Sequence, residues 1–297
     1  GFLLMGALFI VLPRTMVSAK RINQVLDLHS SIQNPAQVQL ADENLKGQVE
    51  FKDVTFRYAA NSEAVIEHVS FRAEAGQTVA FIGSTGSGKS TLVNLIPRFY
   101  DVSAGEILVD GVNVQDYDLK DLRNKVGYIP QKAVLFSGDV KGNLDFGHSQ
   151  ETPLSEQAMW QALELAQSKN FIEDKEAGLE SEVAQGGTNF SGGQRQRLAI
   201  ARALARKPEI LIFDDSFSAL DYKTDATLRK RLKEVTGDAT VLIVAQRVGT
   251  IMDADQIIVL DHGEIVGRGT HEELLESNEI YSEIARSQLN NQSLTEE

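Results

Sequence analysis

The chain has 297 residues, about twice the length of a single average domain, which predicts about two structural units. Its 29 Lys and Arg residues against 42 Asp and Glu residues give a net charge of −13, which disfavours electrostatically driven binding of nucleic acid. The chain has no cysteine, which excludes disulfides, thiolate catalysis and cysteine-ligated zinc, and its 42% hydrophobic and 24% charged residues are typical of a globular protein.

The first twelve residues, GFLLMGALFIVL, carry no charged side chain and are followed by Pro13 and Arg14. Twelve helical residues extend about 18 Å, whereas the hydrocarbon core of a membrane is about 30 Å thick. We interpret this stretch as the end of a truncated transmembrane helix, with a buried core helix as the alternative. Arg14, Lys20 and Arg21 favour a cytoplasmic continuation, so residues 1–28 are predicted to lead out of a membrane domain.

Residues 29–47 are polar and show no periodicity, which predicts a linker ahead of a domain that spans 48–287. In that domain, residues 49–58 alternate between apolar and polar but change parity at Lys52 and Asp53, which predicts a strand with a bulge. Further on, an Asp-Gly pair between two apolar runs, at positions 110–111, predicts a tight hairpin. An antiparallel β subdomain is therefore expected here.

Four short apolar runs alternate with helical patterns along the same domain, as a parallel sheet with crossover helices requires. They are residues 78–82, 210–213, 240–244 and 256–260. Residues 132–205 have mostly helical periodicity and predict a helical subdomain inserted into this α/β unit. The polar residues 288–297 predict a C-terminal tail.

A glycine-rich motif follows the first of these apolar runs. Residues 83–90 read G-S-T-G-S-G-K-S, which matches the phosphate-loop pattern G-x-x-x-x-G-K-[ST] between a strand and a helix. Its glycines let backbone N–H groups approach phosphate oxygens, Lys89 is expected to contact the β- and γ-phosphates, and Ser90 is expected to bind Mg²⁺. A glycine-rich turn without a ligand is the alternative, which the context disfavours. The predicted nucleotide-binding residues of this P-loop NTPase pattern are Gly83, Ser84, Thr85, Gly86, Ser87, Gly88, Lys89, Ser90 and Thr91.

Two carboxylates, Asp214 and Asp215, follow the apolar run 210–213. A carboxylate at the carboxyl end of a buried parallel strand lies beside the phosphate loop, where it can bind Mg²⁺ through water. In isolation, a solvated turn explains two adjacent aspartates equally well. The phosphate loop favours the metal role, which we assign to Asp214.

A third motif is N-F-S-G-G-Q-R-Q-R at residues 189–197, where glycines again precede a helical pattern. Taken alone, its serine is a helix N-cap. The order of phosphate loop, Ser-Gly-Gly-Gln and aspartate-ended strand, however, resembles that of ATP-binding cassette (ABC) transporter ATPases. The resemblance extends from about residue 47 to residue 287. Residues 1–28 resemble the end of the last transmembrane helix of an exporter half-transporter.

The resemblance implies roles for residues outside the phosphate loop. Tyr58 matches the aromatic residue that stacks on adenine, whereas the strand position alone would favour a packed core aromatic. Gln131 matches the glutamine that senses Mg²⁺ and faces the membrane domain, and it joins Ser90 and Asp214 as an implied metal residue.

Residues 191–194 match the signature loop, whose helix N-terminus contacts the γ-phosphate of ATP held by the other subunit. They are Ser191, Gly192, Gly193 and Gln194. Asp221 matches a residue of the loop that crosses the dimer interface. Glu182 lies where exporters contact the coupling helix of the partner subunit.

Two positions depart from the family's hydrolytic set. The residue after the Mg²⁺-binding aspartate is normally a glutamate, the general base, but here it is Asp215, which is shorter by one methylene. A misplacement of about 1 Å can lower a rate on the order of a hundredfold. Gln246 stands where the family has a switch histidine, and an amide cannot accept or release a proton near neutral pH as imidazole can. Both residues are predicted to lie at the catalytic centre of a site that binds ATP better than it cleaves it.

The intact signature loop and the altered hydrolytic residues together suggest an asymmetric pair. In that hypothesis, this chain binds a different half-transporter that carries glutamate and histidine at these two positions, as in heterodimeric multidrug-type ABC exporters. The alternatives are an ATP-dependent dimerisation module with negligible hydrolysis, and a soluble ABC ATPase that acts on nucleic acid or ribosomes. The charge of −13 and the apolar N-terminus count against the last.

The implied cofactors are ATP and Mg²⁺. The implied partners are the chain's own transmembrane domain, a membrane and a second half-transporter, with no nucleic acid. The transported substrate is expected to bind the membrane helices and not this chain. The ATPase domain is expected on the cytoplasmic side of the cell membrane.

Overall fold

The computed structural model describes residues 1–147, 153–235 and 237–293. The chain divides into two compact units, residues 1–33 and residues 34–297. The first contains helix α1 (Phe2–Leu26), which continues through Pro13. No helix in the described part of the chain is both long enough and apolar enough to cross a bilayer.

The second unit contains the strands and the remaining helices. Its strands are β1 (Val49–Phe56), β2 (Ile66–Ala73), β3 (Thr78–Gly83), β4 (Ala104–Val109), β5 (Val112–Asn113), β6 (Val126–Ile129), β7 (Gly138–Asp139), β8 (Glu182–Val183), β9 (Ile210–Asp214), β10 (Thr240–Val244), β11 (Gln256–Asp261) and β12 (Glu264–Gly269). Its α-helices are α2 (Lys89–Leu95), α3 (Leu119–Lys125), α4 (Val140–Leu144), α5 (Glu156–Leu165), α6 (Lys169–Glu173), α7 (Gly192–Ala205), α8 (Tyr222–Val235), α9 (Val248–Ile251), α10 (His271–Ser277) and α11 (Glu279–Ser293).

The strands form a mixed α/β architecture, as the sequence predicts. The main sheet has the order β12-β11-β3-β10-β9-β6, and all of its pairings are parallel except that of β12 with β11. A second, antiparallel sheet has the order β2-β1-β4-β5. Helices α4 to α7 lie between β6 and β9 in the chain and form the predicted helical subdomain, in which α5 packs on α7.

Both local irregularities that the sequence predicts are confirmed. Strand β1 changes register between Phe51 and Val54, and Asp53 inside this bulge has a φ of 50°. The β4–β5 hairpin turns through Asp110 and Gly111, whose φ values of 50° and 78° are those of a tight two-residue turn.

The main sheet is buried on both faces, and strand β3 shows how. Val79 and Phe81 pack into a core shared with the antiparallel sheet and helix α2. Ala80 and Ile82 point to the opposite face and pack into a core shared with the helical subdomain. Because side chains alternate along a strand, a continuous apolar run is what such a central strand requires.

Part of the predicted linker, from Asn34 onward, belongs to the second unit and forms hydrogen bonds within it. Asn34 donates from Nδ2 to Asp118 Oδ2 at 2.7 Å and accepts at Oδ1 from the N–H of Leu119 at 2.8 Å. Gln39 donates from its N–H to the Asp116 carbonyl at 2.9 Å and from Nε2 to the Asp116 carboxylate at 3.0 Å. These partners are distant in sequence, so local periodicity did not indicate them.

The C-terminal region also differs from the expected tail. Helix α11 continues to Ser293, past residue 288, and residues 294–297 of the predicted tail lie outside the described residues. Tyr281 and Ala285 are buried in the core beside the main sheet, which explains why a polar sequence remains helical there.

Candidate nucleotide-binding site

The phosphate loop connects the carboxyl end of β3 to the start of α2, at a sheet edge where parallel α/β proteins bind ligands. Two of its glycines are required by close backbone contacts. A Cβ on Gly83 would lie 2.0 Å from the carbonyl oxygen of Leu260, and one on Gly88 would lie 2.7 Å from Cδ1 of Ile66. Both glycines also have positive φ, 155° and 95°, so the loop conformation depends on them.

Lys89 begins helix α2 and returns its side chain to the loop. Its Nζ donates to the carbonyl oxygens of Gly83 at 2.9 Å and Ser84 at 2.7 Å, and to Ser87 Oγ at 3.2 Å. Burial lowers the pKa of Lys89, and the nearby carboxylates, Asp215 foremost, act in the opposite direction. The loop therefore holds a largely buried positive charge, which suits phosphate oxygens.

Ser90 and Asp214 meet beside the loop. Ser90 Oγ donates to Asp214 Oδ1 at 2.6 Å, and the hydroxyl of Tyr128 donates to Asp214 Oδ2 at 2.9 Å. The pair offers the hard oxygen ligands that Mg²⁺ prefers. Among the described residues no group of three or more histidine or carboxylate side chains converges on a metal position.

Asp215 occupies a strained position immediately after β9. Its φ is 47°, and its N–H donates to the carbonyl of Val244 at 2.9 Å. Its Oδ2 accepts two side-chain hydrogen bonds, from Gln131 Nε2 at 2.8 Å and from Gln246 Nε2 at 2.7 Å. Burial raises the pKa of Asp215, and the negative charge of Asp214 raises it further, whereas the two amides and Lys89 lower it.

The structure thus brings three of the predicted residues together. The side-chain amides of Gln131 and Gln246 both donate to one carboxylate oxygen of Asp215, the predicted general base. Another glutamine, Gln196 on α7, donates to the Pro130 carbonyl at 3.1 Å and holds the neighbouring main chain. The segment that carries Gln131 is therefore bound to the helical subdomain.

Tyr58 lies beyond the end of β1, and its side chain is half exposed. Its hydroxyl forms a 2.9 Å hydrogen bond with Thr91 Oγ1 on α2. The rings of Phe56 and Tyr100 contact it edge-on, with centroids 4.9 and 5.2 Å away. The hydrogen bond to Thr91 places Tyr58 beside the helix that follows the phosphate loop, and stacking on adenine stays a prediction.

The signature residues form the N-terminus of helix α7. Ser191 Oγ accepts from the N–H of Gln194 at 3.3 Å, and Gln194 Oε1 accepts from the N–H of Ser191 at 3.0 Å, which completes a capping box. Ser191 and Gly192 are exposed, while Gly193 and Gln194 are partly exposed. The end of a 14-residue helix with accessible N–H groups can bind an anion.

Asp221 lies at the start of helix α8 and is exposed. Its carboxylate accepts from the N–H of Thr224 at 2.9 Å and from Thr224 Oγ1 at 2.7 Å, and these hydrogen bonds lower the pKa of Asp221. Between Asp215 and Asp221, Ser218 Oγ donates to the carbonyl of Asp215 at 2.7 Å. This hydrogen bond links the turn before Asp221 to the end of β9.

Two residues of the site were missed by the sequence analysis. Tyr128 lies three residues before Gln131, and the sequence analysis gave it no role. Its contact with Asp214 depends on the adjacency of β6 and β9. Gln288 lies in the predicted tail and forms hydrogen bonds with the main chain of Gln246 and Val248. No sequence signal pointed to Gln288, because its partners are about forty residues away.

Comparison with known proteins supplies the family. A family model described as "ABC transporter" matches residues 66–218. An uncharacterised ABC transporter ATP-binding protein of Mycobacterium tuberculosis (strain ATCC 25618 / H37Rv) is 48% identical over 278 residues, which cover 94% of this chain and 47% of that protein. An ATP-dependent lipid A-core flippase of Mannheimia succiniciproducens is 42% identical over 277 residues, 93% of this chain and 46% of that protein.

Among solved structures, a bacterial Atm1-family ABC exporter with ATP bound matches with a TM-score of 0.85 and 31% identity, covering 95% of this chain and 49% of that chain. The chain thus spans about half the length of the curated relatives it matches.

Proposed function

Because the chain belongs to the ABC transporter family, we propose that it is the ATPase domain of an exporter half-transporter with a weakened hydrolytic site of its own and a signature loop that serves a partner subunit. The chain is an ABC ATPase domain, of a family that binds and hydrolyses ATP, generally with Mg²⁺. The proposal concerns transport, the asymmetry of the site and the partner.

The transport assignment is supported by the relatives. A lipid A-core flippase and an Atm1-family exporter each contain a region like this chain in about half of their length. We propose that residues 1–28 join this domain to a transmembrane domain that binds the cargo, with the ATPase domain on the cytoplasmic side of the cell membrane. The partner is a second half-transporter, a different chain with glutamate and histidine at the positions that correspond to Asp215 and Gln246 here.

One observation carries the weakened site: the carboxylate on which the amides of Gln131 and Gln246 converge is that of an aspartate, Asp215. A general base must reach the water that attacks the γ-phosphate, and an aspartate reaches less far than a glutamate. The two amides on Oδ2 hold this short carboxylate in place but do not extend its reach. Gln246 can donate a hydrogen bond but cannot act as an acid or a base near neutral pH. This arrangement supports retention of ATP with slow cleavage.

The binding half of the site retains the groups that hold a nucleotide. The N–H groups of the phosphate loop and Lys89 bind phosphate oxygens, and Tyr58 stacks on the base. Ser90 and Asp214 would hold Mg²⁺, which would supply positive charge beside the phosphates. The signature residues, with their intact capping box, present helix N–H groups to ATP held by the partner.

Complementation between two variants tests the role of the signature loop. The first variant carries Asp215→Glu and Gln246→His, which restore the family's hydrolytic residues, and is kept limiting. The second carries Lys89→Ala, which disables its own phosphate loop and leaves its signature loop intact. A closed site needs the phosphate loop of one chain and the signature loop of the other. Excess Lys89→Ala chain is therefore expected to raise ATP turnover, per chain of the first variant, about threefold or more.

The matched control adds Gly192→Asp to the Lys89→Ala chain. A Cβ on Gly192 has open space, and an acidic residue suits a helix N-terminus, so this change leaves the fold intact while it repels the γ-phosphate. The control chain is expected to give no stimulation. Equal stimulation by both chains, or none by either, would contradict the proposed role of the signature loop. Binding of ATP without turnover in the restored chain would instead favour a dimerisation module.

A further inference from the structure

The C-terminal helix α11 contacts the main chain on both sides of Arg247. Nε2 of Gln288 donates to the carbonyl oxygen of Gln246 at 2.6 Å, and Oε1 of Gln288 accepts from the N–H of Val248 at 2.8 Å. One side-chain amide therefore binds an acceptor and a donor that lie two residues apart. We call residues 246–248 the switch segment.

The contact with Val248 completes a helix that lacks a cap of its own. Val248 is the first residue of α9, and the N-cap position before it is occupied by Arg247, whose side chain makes no capping hydrogen bond. Capping is normally done by Ser, Thr, Asp or Asn at that position. Val248 is buried, so its N–H needs a partner within the protein, and Gln288 supplies it.

Helix α11 is itself fixed on the core by the face that carries Gln288. Tyr281 is fully buried, Ala285 is nearly so, and Gln288 follows at helical spacing on the same face. The hydroxyl of Tyr281 also forms a 2.6 Å hydrogen bond with Nδ1 of His271 on α10. The amide of Gln288 therefore projects from a rigid support.

The side chain of Gln246, at the other end of the switch segment, binds the Asp215 carboxylate at 2.7 Å. A shift of the Gln246 main chain would move this amide away from Asp215 directly. We propose that Gln288 is a positioning residue for ATP hydrolysis, which fixes the switch segment so that the Gln246 amide stays on Asp215. This inference rests on the proposed role of Gln246 at the hydrolytic site, and it makes the C-terminal helix a support of that site.

Three variants of the full chain test it: Gln288→Ala, Gln288→Glu and Ser287→Ala. Gln288→Ala removes both hydrogen bonds. Gln288→Glu keeps an acceptor for the N–H of Val248 and loses the donor to Gln246. Ser287 is the exposed neighbour on α11 and serves as the matched control. Thermal denaturation of each variant establishes that it folds.

Two readouts are needed, amide hydrogen exchange at Val248 and the kcat and KM for ATP. Gln288→Ala is expected to speed exchange at Val248 about fivefold or more, because one hydrogen bond to a buried N–H is lost. It is also expected to lower kcat about three- to tenfold with KM within about twofold, because the phosphate loop is untouched. Gln288→Glu should retain most of the protection at Val248 and have an intermediate kcat, and Ser287→Ala should match the unaltered chain.

Unchanged exchange at Val248 in Gln288→Ala would overturn the inference, whatever the role of Gln246. Should Gln288→Ala fail to fold, Gln288→Glu decides in its place, and a kcat equal to that of the unaltered chain would overturn the inference. Gln246→Ala, measured in parallel, separates this inference from the proposed function. If Gln246→Ala lowers kcat and Gln288→Ala does not, only the positioning role fails. If neither lowers kcat, the role of Gln246 fails and the inference fails with it.

Discussion

The binding half and the hydrolytic half of the site lie at one edge of the main sheet but differ in chemistry. The binding half, residues 83–91 with Asp214, offers glycine-rich backbone, a buried ammonium group and paired oxygen ligands. The hydrolytic half, made of Gln131, Asp215 and Gln246, places two neutral amides on one short carboxylate. ATP binding needs hydrogen-bond donors and positive charge, whereas cleavage needs a base at one defined position. The departures from the family pattern at Asp215 and Gln246 can therefore slow cleavage and leave ATP binding intact.

The largest effect is expected from Lys89→Ala, which changes a residue of the binding half. It removes the buried ammonium group of the phosphate loop, and charge-assisted hydrogen bonds to phosphate are among the strongest in proteins. The Kd for ATP, measured by fluorescence titration or calorimetry, should rise about a hundredfold. Lys132→Ala, at an exposed lysine next to Gln131, should leave it within about twofold. A Kd that stays near that of the unaltered chain would show that the two halves are not divided as described.

A smaller effect is expected from Tyr128→Phe, which removes the hydroxyl donor to Asp214 Oδ2 and leaves the Ser90 contact in place. Burial raises the pKa of Tyr128, so the native hydroxyl stays protonated and donates. Loss of such a supporting hydrogen bond commonly weakens metal binding about tenfold. The Mg²⁺ concentration at half-maximal nucleotide binding should therefore rise by about this factor.

Binding of ATP measured without Mg²⁺ is the internal control for Tyr128→Phe, and it should not change. If metal-free and Mg²⁺-dependent binding weakened equally, Tyr128 would support the fold of the site and not the carboxylate of Asp214.

The smallest effect is on stability, through the buried charge of Asp215. Burial and the charge of Asp214 raise the pKa of Asp215, so its ionised carboxylate opposes folding at neutral pH. As the pH falls through this raised pKa toward the usual 3.8, the folded protein takes up the proton first and its stability increases. Asp215→Asn keeps an oxygen for both amides without the charge. Its melting temperature should exceed that of the unaltered chain by a few degrees at most at pH 7, and the difference should disappear near pH 4.

For Asp215→Asn, a lower melting temperature at pH 7 would contradict this account of the carboxylate, as would a gain that persists unchanged at low pH.

Sequence patterns indicated the elements whose determinants are local. The apolar run ending at Asp214 predicted a central strand, the parity change at Asp53 predicted a bulge, and the pair at Asp110 predicted a hairpin turn. Each depends on residues within a few positions of one another. The phosphate loop was equally visible, because its backbone geometry requires glycines such as Gly83.

Contacts between distant residues were not accessible in the same way. The sequence placed Gln131 and Gln246 near the chemistry only through the family resemblance, and it did not indicate that both donate to the same oxygen of Asp215. Asn34 and Gln288 lie in segments whose polar composition predicted a linker and a tail. Their amide side chains have partners far along the chain, and such pairs leave no periodic signal.

We propose that this chain holds ATP well and cleaves it slowly because of Asp215 and Gln246. The direct test is steady-state ATP hydrolysis over a series of protein concentrations, with the unaltered chain beside the variant carrying Asp215→Glu and Gln246→His, and with ATP affinity measured in both. We expect similar affinities, slow turnover in the unaltered chain, and a gain of about tenfold or more in the variant that grows with protein concentration. Rapid turnover by the unaltered chain, with no gain in the variant, would contradict the account and indicate an ordinary homodimeric ATPase.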